Sequence, residues 1–204
     1  MPNDYPLFPL PLVAFPGCRL PLQIFEPRYL DLVKSSLSTE SSFGIVTLIP
    51  QAADAVSDNI EIYPVGTSVK IVDFNEQPNG LLGVVCEGLG KFEISQTERC
   101  EKTQLLMASI KPFEAEAIEA VPSEFEELVH VLTSLLEHPY VVSLGYPKFE
   151  IEDWLIDASK LGCYLSYLLP FPNAQRCRLL ALDEPIVRLG MIQELLDEMD
   201  GSAS

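Results

Sequence analysis

The chain has 204 residues, 48% hydrophobic and 21% charged, which is enough apolar material to bury a core and too much for a disordered chain. Thirteen Lys and Arg against 30 Asp and Glu give a formal net charge of −17. A field of that sign repels phosphate backbones, and the basic residues are scattered rather than gathered into a patch, so nucleic acid is not an expected partner.

The first residues, MPNDYPLFPLPLVAFPG, carry no basic segment and are broken by prolines, so they do not read as a secretion signal. No apolar run approaches the length of a membrane span, and a membrane is not an expected partner either. Leu7 to Phe15 and Arg19 to Phe25 are short extended runs split by the turn signal Pro16-Gly17. Pro27 suits the first position of a helix, where its missing N–H is not needed, and Leu30, Val33 and Leu37 then recur at helical spacing. Phe43 to Ile49 reads as a buried strand. Gly66 to Phe74, Leu81 to Glu87, Lys91 to Ser95 and Leu105 to Ile110 read as further strands, with a turn at Pro78-Asn79-Gly80 and a bend or bulge at Gly88-Leu89-Gly90. Many short strands with frequent turns predict a small barrel or folded sheet.

The pattern changes at Glu114 to Pro122, which reads as an acidic linker. Ser123 to Glu126 has the spacing of a capping box, and Phe125, Leu128, Val129, Leu132, Leu135 and Leu136 form one apolar stripe. A second helix is expected from about Glu152 to Leu168, with Trp154, Leu155, Ala158, Leu161 and Leu165 on one side. Asn173 is placed to cap a short helix through Leu180, and Asp183 another through Met199. The expected organisation is a β-rich domain over 1–117, a small helical bundle over 118–200 and a frayed tail over 201–204.

The five cysteines, Cys18, Cys86, Cys100, Cys163 and Cys177, are odd in number and form no C-x-x-C, so neither a disulfide framework nor a zinc site is expected. Free thiols suit a reducing compartment, and the expected location is the cytoplasm. Gly88-Leu89-Gly90-Lys91-Phe92 lacks the spacing and the hydroxyl of a phosphate-binding loop, and no G-x-S-x-G is present. His130 and His138 fall eight residues apart on the first predicted bundle helix, with no carboxylate or cysteine at ligand spacing. No catalytic residue, metal ligand or cofactor is expected.

Three segments together carry a family resemblance. Tyr5-Pro-Leu-Phe-Pro-Leu10, Phe15-Pro-Gly17 and Leu20-Pro-Leu-Gln-Ile-Phe-Glu-Pro-Arg-Tyr29 resemble the opening of the Lon protease N-terminal domain, the LON substrate-binding domain. Phe43-Gly-Ile-Val46, Val65-Gly-Thr67 and Glu87-Gly-Leu-Gly-Lys-Phe92 resemble the family's following strands. Leu161 to Leu168, Gln175 to Leu180 and Asp183 to Leu196, with Arg188 before Leu189, resemble its terminal helices. The resemblance implies an α+β fold, a PUA-like β-barrel followed by a small α-helical bundle, and a stand-alone member without ATPase or protease domains. It further implies a non-catalytic module that binds unfolded polypeptide or a protein partner. The alternatives are an adaptor docking onto a separate ATP-dependent protease, or a small hydrolase with an unrecognised site.

Phe15, Leu22, Phe25, Arg28, Tyr29 and Phe92 are the candidate partner-binding residues. The aromatic and aliphatic groups would offer apolar contact, and the Arg28 fork would receive a carboxylate. The competing reading places the apolar groups in the core and pairs Arg28 with Glu26 at the start of the helix.

Overall fold

The computed structural model describes residues 4–50, 60–146 and 148–202. The chain divides after Phe113 into two compact units. The first contains β1 (Tyr5–Leu10), β2 (Arg19–Ile24), α1 (Pro27–Thr39), β3 (Phe43–Thr47), β4 (Val65–Glu76), β5 (Leu82–Arg99) and β6 (Leu106–Pro112).

These strands make one mixed sheet in the order β2-β5-β4-β3-β1-β6, and a further β5–β6 pairing curls it into a ring. The ring is not evenly closed: β2 pairs with β5 outside it. The β1–β3 pair is parallel, and the crossover that a parallel pair requires is supplied by β2 and α1.

Two of the expected strands are one. Leu81 to Glu87 and Lys91 to Ser95 belong to the single 18-residue β5, and the anticipated irregularity at Gly88-Leu89-Gly90 is a bulge within it. There Ser68 opposes Gly90 and Val69 opposes Gly88, which leaves Leu89 as the extra residue. Gly88 is required by contact: a Cβ there would collide with the Phe15 carbonyl oxygen. The Phe15-Pro16-Gly17 turn is laced to the same point by Gly17 N–H to Gly88 O (2.9 Å) and Gly88 N–H to Cys18 O (3.0 Å). β1 stops at Leu10, short of the extended run expected to reach Phe15. Instead, the carbonyls of Leu12 and Ala14 accept from the Thr47 and Thr67 hydroxyls.

Phe92 is fully buried and packs with Leu7, Val46 and Ala108. Its ring occupies space that side chains at two glycines would fill. A Cβ on Gly44 would lie 2.6 Å from Leu7 Cδ2 and from Phe92 Cζ, and one on Gly66 would lie 2.6 Å from Phe92 Cζ and 2.8 Å from the Ile45 carbonyl oxygen.

The second unit opens with a 3-10 turn (Ser123–Phe125), followed by α2 (Glu126–Leu136), α3 (Pro139–Ser143), α4 (Lys148–Ile156), α5 (Ala158–Leu168), α6 (Asn173–Ala181) and α7 (Pro185–Ser202). The capping box does not form, because Ser123 lies inside the 3-10 turn and α2 starts without a side-chain cap. Asn173 is likewise inside α6, behind Pro172, and does not cap it. The helix expected over 152–168 breaks at Asp157, whose extended backbone bridges Ala120 and whose carboxylate caps α5 through Ser159 N–H (2.9 Å). The cause is the segment read as an acidic linker. It inserts at the break, with Val121 N–H on Ile156 O and Ala158 N–H on Glu119 O.

Glu116 is also held. It takes both ends of the fully buried Arg188 guanidinium and a hydroxyl bond from Ser159. Arg188 donates further to the Leu179 and Leu182 carbonyls, so its charge is met on every side. Burial is the largest single influence and opposes that charge, but the Glu116 hydrogen bonds together with the charges of Cys163, Glu116 and Asp183 outweigh it and hold the guanidinium pKa above its ordinary value.

Three substitutions test this packing. Gly66→Ala is expected to lower unfolding free energy by about 1–3 kcal/mol through overpacking. Gly190→Ala, in α7 with open space around the new methyl, is expected to be neutral or stabilising by up to about 1 kcal/mol. Glu116→Ala, which leaves Arg188 buried without its anion, is expected to cost about 3–5 kcal/mol. Urea denaturation of the three variants measures all of these values.

Candidate functional site

The stretch Phe25-Glu26-Pro27-Arg28-Tyr29 turns β2 into α1. Glu26 is the extended residue before the helix, Pro27 takes the first turn, and the Glu26 carbonyl accepts from Tyr29 and Leu30 N–H. Arg28 binds the Glu26 carboxylate through Nε (2.9 Å) and Nη2 (2.6 Å), donates Nη1 to Gln104 O (3.3 Å) and lies 4.8 Å from the Tyr29 ring centre. Tyr29 stacks on Phe8 at 3.9 Å. Burial pushes the Tyr29 hydroxyl pKa up, against the lowering effect of Arg28. The cluster therefore fastens the start of α1 to the β5–β6 loop, and the Arg28 fork already holds a carboxylate.

The six candidate residues separate by burial. Phe15, Tyr29 and Phe92 are core residues and offer no surface. Phe15 is enclosed where its turn meets Gly88, Tyr29 by Phe8, and Phe92 by the ring itself. Leu22 is half-buried, Arg28 is committed to Glu26, and Phe25 is 69% exposed.

The accessible apolar surface beside Leu22 lies on the part of the sheet outside the ring. Here β5 runs between β2 and the distal half of β4, and the register places Leu22, Val84 and Phe74 in one cross-strand row. Directly opposed residues share a face, so these three side chains line one strip, with Val84 buried as its floor and Leu22 and Phe74 reaching solvent on either side. A cavity of about 310 Å³ opens at this row, between Pro21, Leu22 and Gln23 on one side and Asp73, Phe74 and Asn75 on the other. Phe74 is 58% exposed and Val72 40%. Neither was singled out from sequence, although both occur where the apolar alternation of GTSVKIVDF runs into Asn75-Glu76. The available signal was a slip in that alternation: Val69 and Ile71 share one phase, Asp73 breaks it, and Val72 and Phe74 take the other.

Both free strand edges beside the cavity are blunted. Pro21 removes one donor from β2, and Asp73 Oδ1 accepts the Phe74 N–H (2.8 Å) on β4, next to a register shift at Ile71/Asp73. The strip is therefore suited to receiving apolar side chains and poorly suited to pairing with an added strand.

Elsewhere the titratable groups have local tasks. His138 lies beyond α2, not on it, and its Nδ1 accepts the Tyr140 N–H at the start of α3. It therefore serves as a hydrogen-bond acceptor at a helix start. Cys18, Cys86, Cys163 and Cys177 are buried, and burial pushes the Cys86 thiol up to about 12. Cys100, half-exposed in the β5–β6 loop, is held below its ordinary pKa by hydrogen bonds from the Thr103 side chain and the Thr103 and Lys102 backbones. Among the described residues no group of three or more His, Cys, Asp or Glu could hold a metal ion, and no helix is long and apolar enough to cross a membrane.

An incompletely closed ring with one strand outside it, followed by a separate helical unit, defines an α+β domain of the Lon N-terminal kind. The chain belongs to the family of ATP-dependent protease La (LON) substrate-binding domains, whose model matches residues 4–198. The crystal structure of a Lon N-terminal domain protein from Xanthomonas campestris is 30% identical with a TM-score of 0.73, over 95% of this chain and 96% of that one. The N-terminal domain of a Mycobacterium avium complex Lon protease, at 20% identity and a TM-score of 0.59 over 93% and 96% of the two chains, shares the fold. Among curated relatives, the Lon protease of Parabacteroides distasonis is 30% identical over 136 residues, 65% of this chain, and that of Cytophaga hutchinsonii 23% identical over 97% of it. The chain spans only 16% and 24% of the lengths of those two proteases.

Thiol reactivity follows from the burial pattern. Brief treatment of the folded protein with iodoacetamide at pH 8 is expected to alkylate Cys100 well before the other four, because the thiolate is the nucleophile. Peptide mass spectrometry measures this order, and Thr103→Ala is expected to slow the Cys100 reaction.

Proposed function

We propose that this chain is a non-catalytic recognition module that captures exposed apolar side chains of unfolded polypeptide in the strip formed by Leu22, Phe74 and Val84. The observation that supports this most directly is the half-open aromatic surface beside a cavity of about 310 Å³, on the segments of β4 and β5 that pair outside the ring with β2. Membership of a substrate-binding family supports the same reading.

Capture would rest on desolvation. An apolar side chain fully removed from water contributes about 1.5–3 kcal/mol, so one or two insertions give weak, readily reversed binding. That strength suits a module that samples many sequences. The blunted edges add no ladder of backbone bonds that would prolong residence. Phe25, directly after β2, is a further exposed apolar group. A net charge of −17 supports a client richer in basic than in acidic residues, and it does not suit nucleic acid. Five free thiols support placement in the cytoplasm.

The test is fluorescence anisotropy with labelled, reduced and unfolded casein. The expected result is saturable binding without cleavage, weakened about tenfold or more by Phe74→Ser, since about 1.4 kcal/mol corresponds to a factor of ten. Phe74 is exposed, so the variant should retain its circular dichroism and melting temperature. Unchanged affinity in Phe74→Ser would remove the strip from the account. Reproducible casein cleavage that tracks the purified chain would overturn the non-catalytic reading.

A further inference from the structure

In the helical unit, Arg176 stands in the first half of α6 and is half-buried. Its Nη2 donates to the Leu169 carbonyl at 2.6 Å. A guanidinium has five N–H donors in a rigid fork, so that bond leaves most of the fork unused. The Nε is buried, and none of the described residues accepts from it. The chain's other part-buried or buried arginines illustrate the contrast. Arg19 faces Glu87 at 3.6 Å, Arg28 faces Glu26, and Arg188 faces Glu116. Among the described residues, Arg176 meets no carboxylate.

Two tyrosines stand near it. The Tyr140 and Tyr167 hydroxyls lie 3.1 Å apart, with Tyr167 buried and Tyr140 45% exposed, so the pair runs from the interior towards solvent. Tyr167 stands two residues before Leu169, whose carbonyl Arg176 holds, and it carries Tyr140 with it through the shared hydroxyl bond; burial lowers the Arg176 pKa, and Tyr167 and then Tyr140 act against that lowering. With Tyr167 as donor in the shared bond, Tyr140 keeps its own O–H for a ligand.

We propose that Arg176 together with the Tyr140–Tyr167 hydroxyl pair forms an oxyanion-binding site, taking a carboxylate or phosphate group. A part-buried guanidinium lacking an anion carries an uncompensated desolvation cost, and a planar two-oxygen group would supply the acceptors that the fork lacks. A single bond to a helix-end carbonyl is a task that lysine performs equally well, so that bond alone does not account for a fork here. The overall charge of −17 gives no diffuse attraction for anions, so binding at this point would come from the local donors. The site lies within the second unit and is independent of the apolar strip.

The experiment follows the Arg176 Nε–H resonance of the full chain by nitrogen-15 NMR. Sodium phosphate and sodium N-acetylglycinate are titrated separately, with sodium chloride at matched ionic strength as the reference. The expected result is a saturable shift with at least one of the two oxyanions and not with chloride, and the one that saturates identifies the source of the group. Tyr140→Phe, at an exposed position, is expected to weaken that binding several-fold with no change in melting temperature. Arg176→Lys is expected to abolish competition for a labelled form of the same anion. Shifts no larger than those caused by chloride, or affinity unaffected by Tyr140→Phe, would overturn the proposal.

Discussion

The first unit depends on one strand serving three neighbours. β5 pairs with β2 and the distal half of β4 over its first residues, then with the proximal half of β4 and with β6 over the rest. A single strand can do this only if it bends sharply in the middle. The Leu89 bulge supplies the bend, and the contact of Gly88 with the Phe15 carbonyl fixes where it falls. Beyond the bend, Phe92 fills the ring against Gly44 and Gly66. Before it, the same strand carries Val84 into the strip with Leu22 and Phe74. Core and candidate site are thus the two ends of one element, separated by a glycine.

The second unit depends on a different device. Its opening segment supplies Glu116 to Arg188, a bond to Ser159 and the backbone bonds that separate α4 from α5. A buried ion pair of this kind adds little net energy relative to an apolar substitute, because two charges must be desolvated. What it adds is position, since only one placement of residues 114–121 meets the donors of Arg188. Arg176 shows the opposite case, a guanidinium in the same unit whose fork meets no carboxylate among the described residues.

Much of this was legible in the sequence, because it rested on periodicity and on residues with restricted backbones. The change from β-rich to helical character, the Pro27 helix start and the irregularity at Gly88 were all readable. What the sequence left open was tertiary. Phe15, Tyr29 and Phe92 are as apolar as Phe25 and Phe74, and only their neighbours decide which are enclosed. Glu116 looks like any other acid of an acidic run until Arg188, 72 residues away, is brought beside it. Local signals at Ser123 and Asn173 were overridden because the chain enters those helices through Pro122 and Pro172, one residue earlier than a side-chain cap would need.

Function follows from what the fold leaves unsatisfied. Phe74 and Val72 stand in water on the part of the sheet outside the ring, where the proposed capture would cover them. The most direct measurement places a photoreactive p-benzoylphenylalanine at position 74, irradiates the protein with unfolded casein, and compares the yield with the same group at Ile118, which is 87% exposed. Capture in the strip predicts strong crosslinking at 74 that native, folded competitors do not suppress, and little at 118. Equal yields at the two positions would mean that exposure alone governs contact, and would contradict the account.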